Sequence, residues 1–190
     1  MTLDSPTDAK NALRQVMLRR RAAVAAEQAA DWSRRIVACA LEMVELRSAA
    51  SVFVYVSVGR EAATAGLIEA LLERGLIVAV PRVIGPGLIE PHHIASLAQL
   101  EPGKYGIPAP TSGEMLAGAP DICFAPAVAV TERGQRMGMG GGYYDRYLAT
   151  HRPGATVALC YEMQVVPDMP TEPTDRPVDA VVTERRVVRM

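Results

Sequence analysis

Apolar positions along this chain follow a helical rhythm first and a strand rhythm later. Ala12, Leu13, Val16 and Met17 recur three and four residues apart, which predicts a helix over residues 7–29 with Thr7 or Asp8 as its cap. Trp32, Ile36, Val37, Ala40, Leu41 and Val44 form a second stripe, so a second core-packed helix is predicted over about residues 27–47. The pattern then changes. Residues 51–58, SVFVYVSV, are apolar at both parities, as a strand covered on both faces would be. Gly59-Arg60-Glu61 ends that run, residues 62–74 read as a helix stopped by Gly75, and LIVAVP at 76–81 reads as the next strand of a βαβ unit. Residues 121–130 and 156–162 share the buried-strand character, and a short strand is expected in the tail. Residues 82–120, rich in proline and glycine, are expected to be an irregular excursion with a short helical piece near 95–100. Alternating strands and helices predict a three-layer α/β fold: a mostly parallel sheet with helices on both faces, in one domain over residues 1–190.

Composition narrows the classes of function. A formal charge of −1 on 190 residues argues against broad nucleic-acid binding, which needs a basic surface. No apolar run approaches the roughly 18 residues of a membrane span, and no signal-peptide hydrophobic region opens the chain. Cys39, Cys123 and Cys160 lie in apolar runs without CxxC spacing, which suits buried thiols in a reducing compartment. A cytoplasmic monomer without nucleic-acid or membrane partners is therefore expected. The run Arg19-Arg20-Arg21 is expected to be solvated, and His92-His93 lacks the further ligands that a metal site requires.

The candidate chemistry concentrates in residues 134–146, GQRMGMGGGYYDR. Glycines let backbone N–H groups approach an anion closely, and the helix expected to begin at YYDRYLATH adds unpaired amides and partial positive charge. Arg136 supplies a fork of donors matched to phosphate oxygens, and Asp145 in the first helical turn could hold Mg²⁺ against them. The string is neither a Walker A motif nor a dinucleotide fingerprint. Lys10 and Arg14, four apart, share one face of the first helix.

RMGMGGGYYDRYL resembles the signature of the 5-formyltetrahydrofolate cyclo-ligase family, usually RLGxGGGYYDRxL. Other segments match that family in the same order. Lys10-Asn11-Ala12-Leu13-Arg14 is similar to its ATP-contacting K-x-x-L-R, Glu61 and Thr64 to its E-x-x-T, and Tyr161 and Gln164 to its Y-x-x-Q. Ala109 stands where the family's G-I-P-E-P segment has glutamate, and Pro126-Ala127-Val128-Ala129-Val130-Thr131 replaces PGxxFD. The resemblance implies the fold shared by ribose-5-phosphate isomerase and the CoA transferases. It also implies ATP-dependent cyclisation of 5-formyltetrahydrofolate to 5,10-methenyltetrahydrofolate, with ATP as co-substrate and Mg²⁺ as cofactor.

The resemblance further implies the site. Lys10, Arg14, Arg136, Gly138, Met139, Gly140, Gly141, Gly142, Tyr143 and Tyr144 would hold the nucleotide, and Asp145 and Asp175 the metal. Glu61 would accept hydrogen bonds from the amino and ring N–H groups of the pterin, beside Val56 and the glycine loop. Arg136, Tyr143 and Asp145 would surround the transfer point, with Met139 packing on a flat ring. Two alternatives stay open on the sequence. One is a silent folate- or nucleotide-binding relative, the other a phosphosugar isomerase or acyl transferase on the same fold.

Overall fold

The computed structural model describes residues 6–190. Helix α1 (Pro6–Ala22) has proline in its first turn, where a missing N–H costs nothing. Thr7 and Asp8 therefore lie inside the helix and do not cap it; the cap position falls among residues 1–5, outside the described residues. The expected continuation to residue 29 is interrupted, because α2 (Ala26–Leu41) begins as a separate helix. Val24 is buried in the break and joins the core cluster that α2 also lines. No glycine or proline marks this stop; burial of Val24 imposes it. After α2 only a 3-10 turn at Val44–Arg47 remains of the helix expected to reach residue 47.

The rest of the chain runs β1 (Ser51–Val54), α3 (Ala65–Glu73), β2 (Ile77–Gly85), β3 (Leu88–Ile94), β4 (Leu100–Pro102), β5 (Pro108–Pro110), β6 (Ile122–Pro126), β7 (Ala129–Val130), β8 (Arg136–Met137), α4 (Tyr143–Thr150), β9 (Ala155–Leu159), β10 (Ala180–Val182) and β11 (Val187–Arg189). A seven-stranded sheet has the order β11-β10-β9-β6-β1-β2-β3. β1, β2, β6, β9 and β10 are parallel, and the two edge strands β3 and β11 are antiparallel to their neighbours. The mostly parallel sheet follows the sequence pattern, with one correction. Residues 82–120 are not simply irregular: β2 folds back through Pro86-Gly87 into β3, and β4 pairs with β5 in a small separate ribbon. The helical piece near 95–100 is a 3-10 turn at Leu97–Gln99, closed by a Ser96–Gln99 capping box. The tail likewise holds a hairpin, β10 with β11, in place of one strand.

Strand parity sorts the core into layers. Val52, Val54, Val78, Val80, Ile122 and Phe124 pack with Ile36, Ala40, Leu67, Ile68 and Leu71 of α2 and α3. Phe53, Ala79 and Cys123 point to the opposite face and pack with Tyr147 of α4. Helix α3 carries the chain from β1 to β2, whereas α4 carries it from β6 to β9 on the other side of β1. Adjacent strands β1 and β6 are therefore a topological switch point, and the loops leaving their carboxyl ends part in opposite directions.

Two side chains shape those loops. Gln164, fully buried, donates through Nε2 to the carbonyls of Ala127 (2.8 Å) and Val128 (3.0 Å) and accepts from the Tyr161 N–H (3.0 Å). The Tyr161 hydroxyl donates to the carbonyl of Glu61 at 3.1 Å. Tyr161 and Gln164 thus tie the segment after β6 to the segment after β1. Gln164→Leu keeps the bulk but strands three backbone groups, so the urea-unfolding free energy should fall by about 3 kcal/mol, with an unchanged slope.

Candidate functional site

A cleft of about 1280 Å³ opens at the carboxyl ends of β1 and β6. Its walls combine α1, the loop after β1, the β2–β3 hairpin, the β4–β5 ribbon, the glycine loop with the start of α4, and residues 172–176. It is the crevice that the switch point predicts. Every residue named above as nucleotide-, substrate- or metal-binding lines it: Lys10, Arg14, Val56, Glu61, Arg136, Gly138, Met139, Gly140, Gly141, Gly142, Tyr143, Tyr144, Asp145 and Asp175.

The glycine loop is entered from a β-hairpin, β7 with β8, that the sequence did not signal. Gly140 and Gly142 have φ angles of +99° and +67°, the left-handed region in which a side chain is strained. Gly142 is the residue before the first turn of α4, and no side chain caps that turn. Gly142 and the first residues of that turn, Tyr143, Tyr144 and Asp145, line the cleft together with Arg14. Arg14 Nε donates to the Gly138 carbonyl at 2.9 Å, and Arg146 donates to the carbonyls of Gly141 (2.7 Å) and Gly87 (3.3 Å). The loop is thus clasped from both sides by arginines.

Arg136 sits beneath the loop and is only 3% exposed. Its guanidinium donates to Asp145 Oδ1 at 2.7 Å and to the Pro126 carbonyl at 3.2 Å, with its carbon 5.9 Å from the Tyr144 ring centroid. Arg136 Nε and the Tyr144 hydroxyl are buried without a protein partner. Asp145 also accepts from the Arg176 N–H at 3.2 Å, which brings it beside Asp175. Lys10, from α1, donates to Asp175 at 2.7 Å and to Glu172 at 2.9 Å. Burial by itself would lower the Lys10 pKa, but the hydrogen bonds to Asp175 and Glu172 outweigh it, and the net shift is upward. Glu172 is a site residue that sequence reasoning missed, since nothing in TEPTD distinguishes it from a turn carboxylate.

At the other end of the cleft, the loop after β1 is pinned from within. The Thr64 hydroxyl donates to the Tyr55 carbonyl at 2.7 Å, the backbone N–H groups of Thr64 and Ser57 each donate to the other's hydroxyl, and the Tyr55 hydroxyl donates to the Ala62 carbonyl at 2.7 Å. This fixes Glu61, whose Oε2 accepts from the Val58 N–H at 3.0 Å. Burial raises the Glu61 pKa; the Val58 hydrogen bond and the Arg21 charge oppose that rise. Arg21 corrects an expectation. It is not solvated with Arg19 and Arg20: it is 8% exposed, lines the cleft and lies 4.0 Å from Glu61 Oε1. The signal was present, since positions 10, 14 and 21 fall on one helical face.

The β4–β5 ribbon supplies the outer wall. Tyr105, at φ +59°, places its hydroxyl 3.2 Å from that of Tyr143, and Ala109 lines the cleft behind it. The altered run at 126–131 leaves a well-packed edge: the Val128 N–H donates to Met137 O at 2.7 Å, and Gln164 holds the carbonyls of Ala127 and Val128. His92 bonds Gly113 and Glu90, and no group of three or more His, Cys, Asp or Glu forms a metal cage among the described residues. Burial pushes the Cys123 thiol up to about 12, which leaves it no thiolate for nucleophilic chemistry near neutral pH. No helix among the described residues is long and apolar enough to cross a membrane.

Residues 6–184 match the model of the 5-formyltetrahydrofolate cyclo-ligase family. The 5-formyltetrahydrofolate cyclo-ligase of Haemophilus influenzae is 30% identical over 182 residues, covering 90% of this chain and 96% of the relative. That of Mycolicibacterium smegmatis is 32% identical over 154 residues, covering 73% and 76%. The NMR structure of 5,10-methenyltetrahydrofolate synthetase from Aquifex aeolicus superposes with a TM-score of 0.86 at 30% identity, covering 95% of this chain and 92% of that one. The Mycoplasma pneumoniae synthetase, at 21% identity and a TM-score of 0.72, shares the fold.

The half-buried carboxylate has a thermodynamic signature. Its folded pKa is raised above the unfolded value, so the folded state holds the proton more tightly. The penalty is absent below the unfolded pKa and grows as pH rises through the folded one. Glu61→Gln should therefore raise the melting temperature at about pH 7 and leave it nearly unchanged at about pH 4.

Proposed function

This chain belongs to the 5-formyltetrahydrofolate cyclo-ligase family, and on that footing we propose that it uses ATP to close 5-formyltetrahydrofolate into 5,10-methenyltetrahydrofolate, releasing ADP and phosphate. One observation carries the reading at the level of residues: a single cleft has a glycine loop and cations at one end and a half-buried, pinned carboxylate at the other.

The phosphates of ATP lie against the amides of Gly138, Met139, Gly140, Gly141 and Gly142, with Arg14 and Lys10 reaching in from α1. Tyr144 supports Arg136 from below, and Arg136 adds charge beneath the loop while fixing the rotamer of Asp145. Asp145 and Asp175 fit Mg²⁺, which binds nucleotides through one or two carboxylates and needs no all-protein cage. Bound there, the ion supplies neutralisation of the phosphate oxygens. Lys10 now holds Asp175, so nucleotide binding redistributes the Lys10 contacts between carboxylate and phosphate.

The folate lies with its pterin toward Glu61 and Val56 and its formyl group toward Tyr143 and Met139. A formamide oxygen is a poor leaving group. Transfer of the γ-phosphoryl group to that oxygen breaks the bond to ADP and gives an iminium-like phosphate ester. Nitrogen 10 of the same folate attacks the activated carbon, loses its proton, and the oxygen departs with phosphate. The protein's work is positioning and charge neutralisation, with no covalent intermediate. Holding the folate in its reactive conformer is worth up to about 7–11 kcal/mol, the range of well-oriented intramolecular reactions.

Incubation with 5-formyltetrahydrofolate should give the methenyl chromophore with MgATP and none without it. Folate binding without product would mark a sequestering relative, and product without ATP would reject the ligase reading. Asp145→Asn should lower kcat by roughly 100-fold and raise the Mg²⁺ concentration needed for half-maximal rate. Glu61→Gln should raise the KM for folate by about 10-fold and leave that for ATP within twofold; equal losses would remove Glu61 from the pterin end.

A further inference from the structure

Arg21 is a buried guanidinium that the mechanism above does not use. It stands on the same face of α1 as Lys10 and Arg14, about 10 Å beyond Arg14 at 1.5 Å per residue, so the helix runs along the cleft from its glycine-loop end to Glu61. Arg19 and Arg20 are exposed, whereas Arg21 is buried and lines the cleft. Its closest carboxylate oxygen, Glu61 Oε1, is 4.0 Å away, too far for a hydrogen bond. The guanidinium makes no hydrogen bond to any described residue, and its nitrogens are not among the buried atoms sealed from solvent. The neighbouring hydroxyls offer no competing donor. Those of Tyr55 and Tyr161 are committed to the carbonyls of Ala62 and Glu61, and that of Tyr144 is sealed.

A cation with open donors beside an anion with one open oxygen presents a donor–acceptor edge to whatever enters. The oxo form of a pterin has the complementary edge: N–H donors at positions 2 and 3, and a carbonyl acceptor at position 4. We propose that Arg21 donates to the 4-oxo group while Glu61 accepts from the 2-amino and ring N–H groups, so that the pair selects 4-oxopteridines over 4-aminopteridines. An amino group at position 4 turns a donor toward the guanidinium and removes the hydrogen from N3, so Arg21 loses its acceptor and Glu61 one of its two donors, which a desolvated polar site rejects strongly. This specificity role rests on the reading that places the pterin at Glu61.

The test is calorimetric binding to the full chain at about pH 8 of 5-formyltetrahydrofolate and its 4-amino-4-deoxy counterpart. The unaltered protein should prefer the oxo ligand by about 10-fold or more. Arg21→Met should cut the oxo-over-amino preference by about threefold or more, through weaker binding of the oxo ligand and leaving the share that Glu61 contributes through the N–H at position 3, with ATP affinity unchanged. Arg21→Lys, which keeps a donor and the charge, should restore part of the preference. Full preference retained in Arg21→Met, or equal weakening of both ligands, would overturn the proposal and leave Arg21 a counter-ion of Glu61. Glu61→Gln separates this from the underlying reading: if neither ligand weakens in that variant, the pterin is elsewhere and both readings fall. If both ligands weaken there while Arg21→Met changes nothing, only the role of Arg21 fails.

Discussion

Two neighbouring parallel strands whose connections depart on opposite faces cannot close the gap between their carboxyl ends. Right-handed crossovers oblige α3 to cover one face of the sheet and α4 the other, so β1 and β6 leave a crevice that no helix fills. The glycine loop, the Glu61 loop and α1 are all disposed around that one opening. The chain could not bury its sheet on both sides without creating it.

Lining the crevice with charge is costly, and the protein meets that cost by pairing. Lys10 is matched to Asp175 and Glu172, Arg136 to Asp145, and Arg21 lies near Glu61. Such pairs do little for stability, because desolvation consumes most of the Coulomb attraction, and they are better explained by what they hold in place. The uncapped start of α4 and the unpartnered Arg136 Nε point the same way. A fold tuned for stability alone would have capped the one and paired the other.

Much of this arrangement was legible in the residues. The βαβ unit at 51–81, the buried strands and the glycine loop opening a helix all follow from periodicity and from the special backbone freedom of glycine. The break at residues 23–25 was not legible, because tertiary burial of Val24 stops the helix where no local signal does. The edge strand β3 was hidden by its own Pro91 and by the Gly85-Pro86-Gly87 turn before it, which a sheet tolerates at an edge and which read locally as loop. Among the residues that line the cleft, Glu172 and the burial of Arg21 were not read from the sequence. Glu172 looks like any turn carboxylate, and Arg21 looks like one of three solvated arginines until its helical phase is compared with Lys10 and Arg14.

The contact between Lys10 and the pair Glu172 and Asp175 joins residues more than 160 positions apart. During synthesis on the ribosome, the early helix emerges long before its acidic counterparts leave the exit tunnel. A nascent chain can therefore build the central strands while this contact is still missing. Lys10 keeps no carboxylate partner from this segment until residues 172–175 have been made.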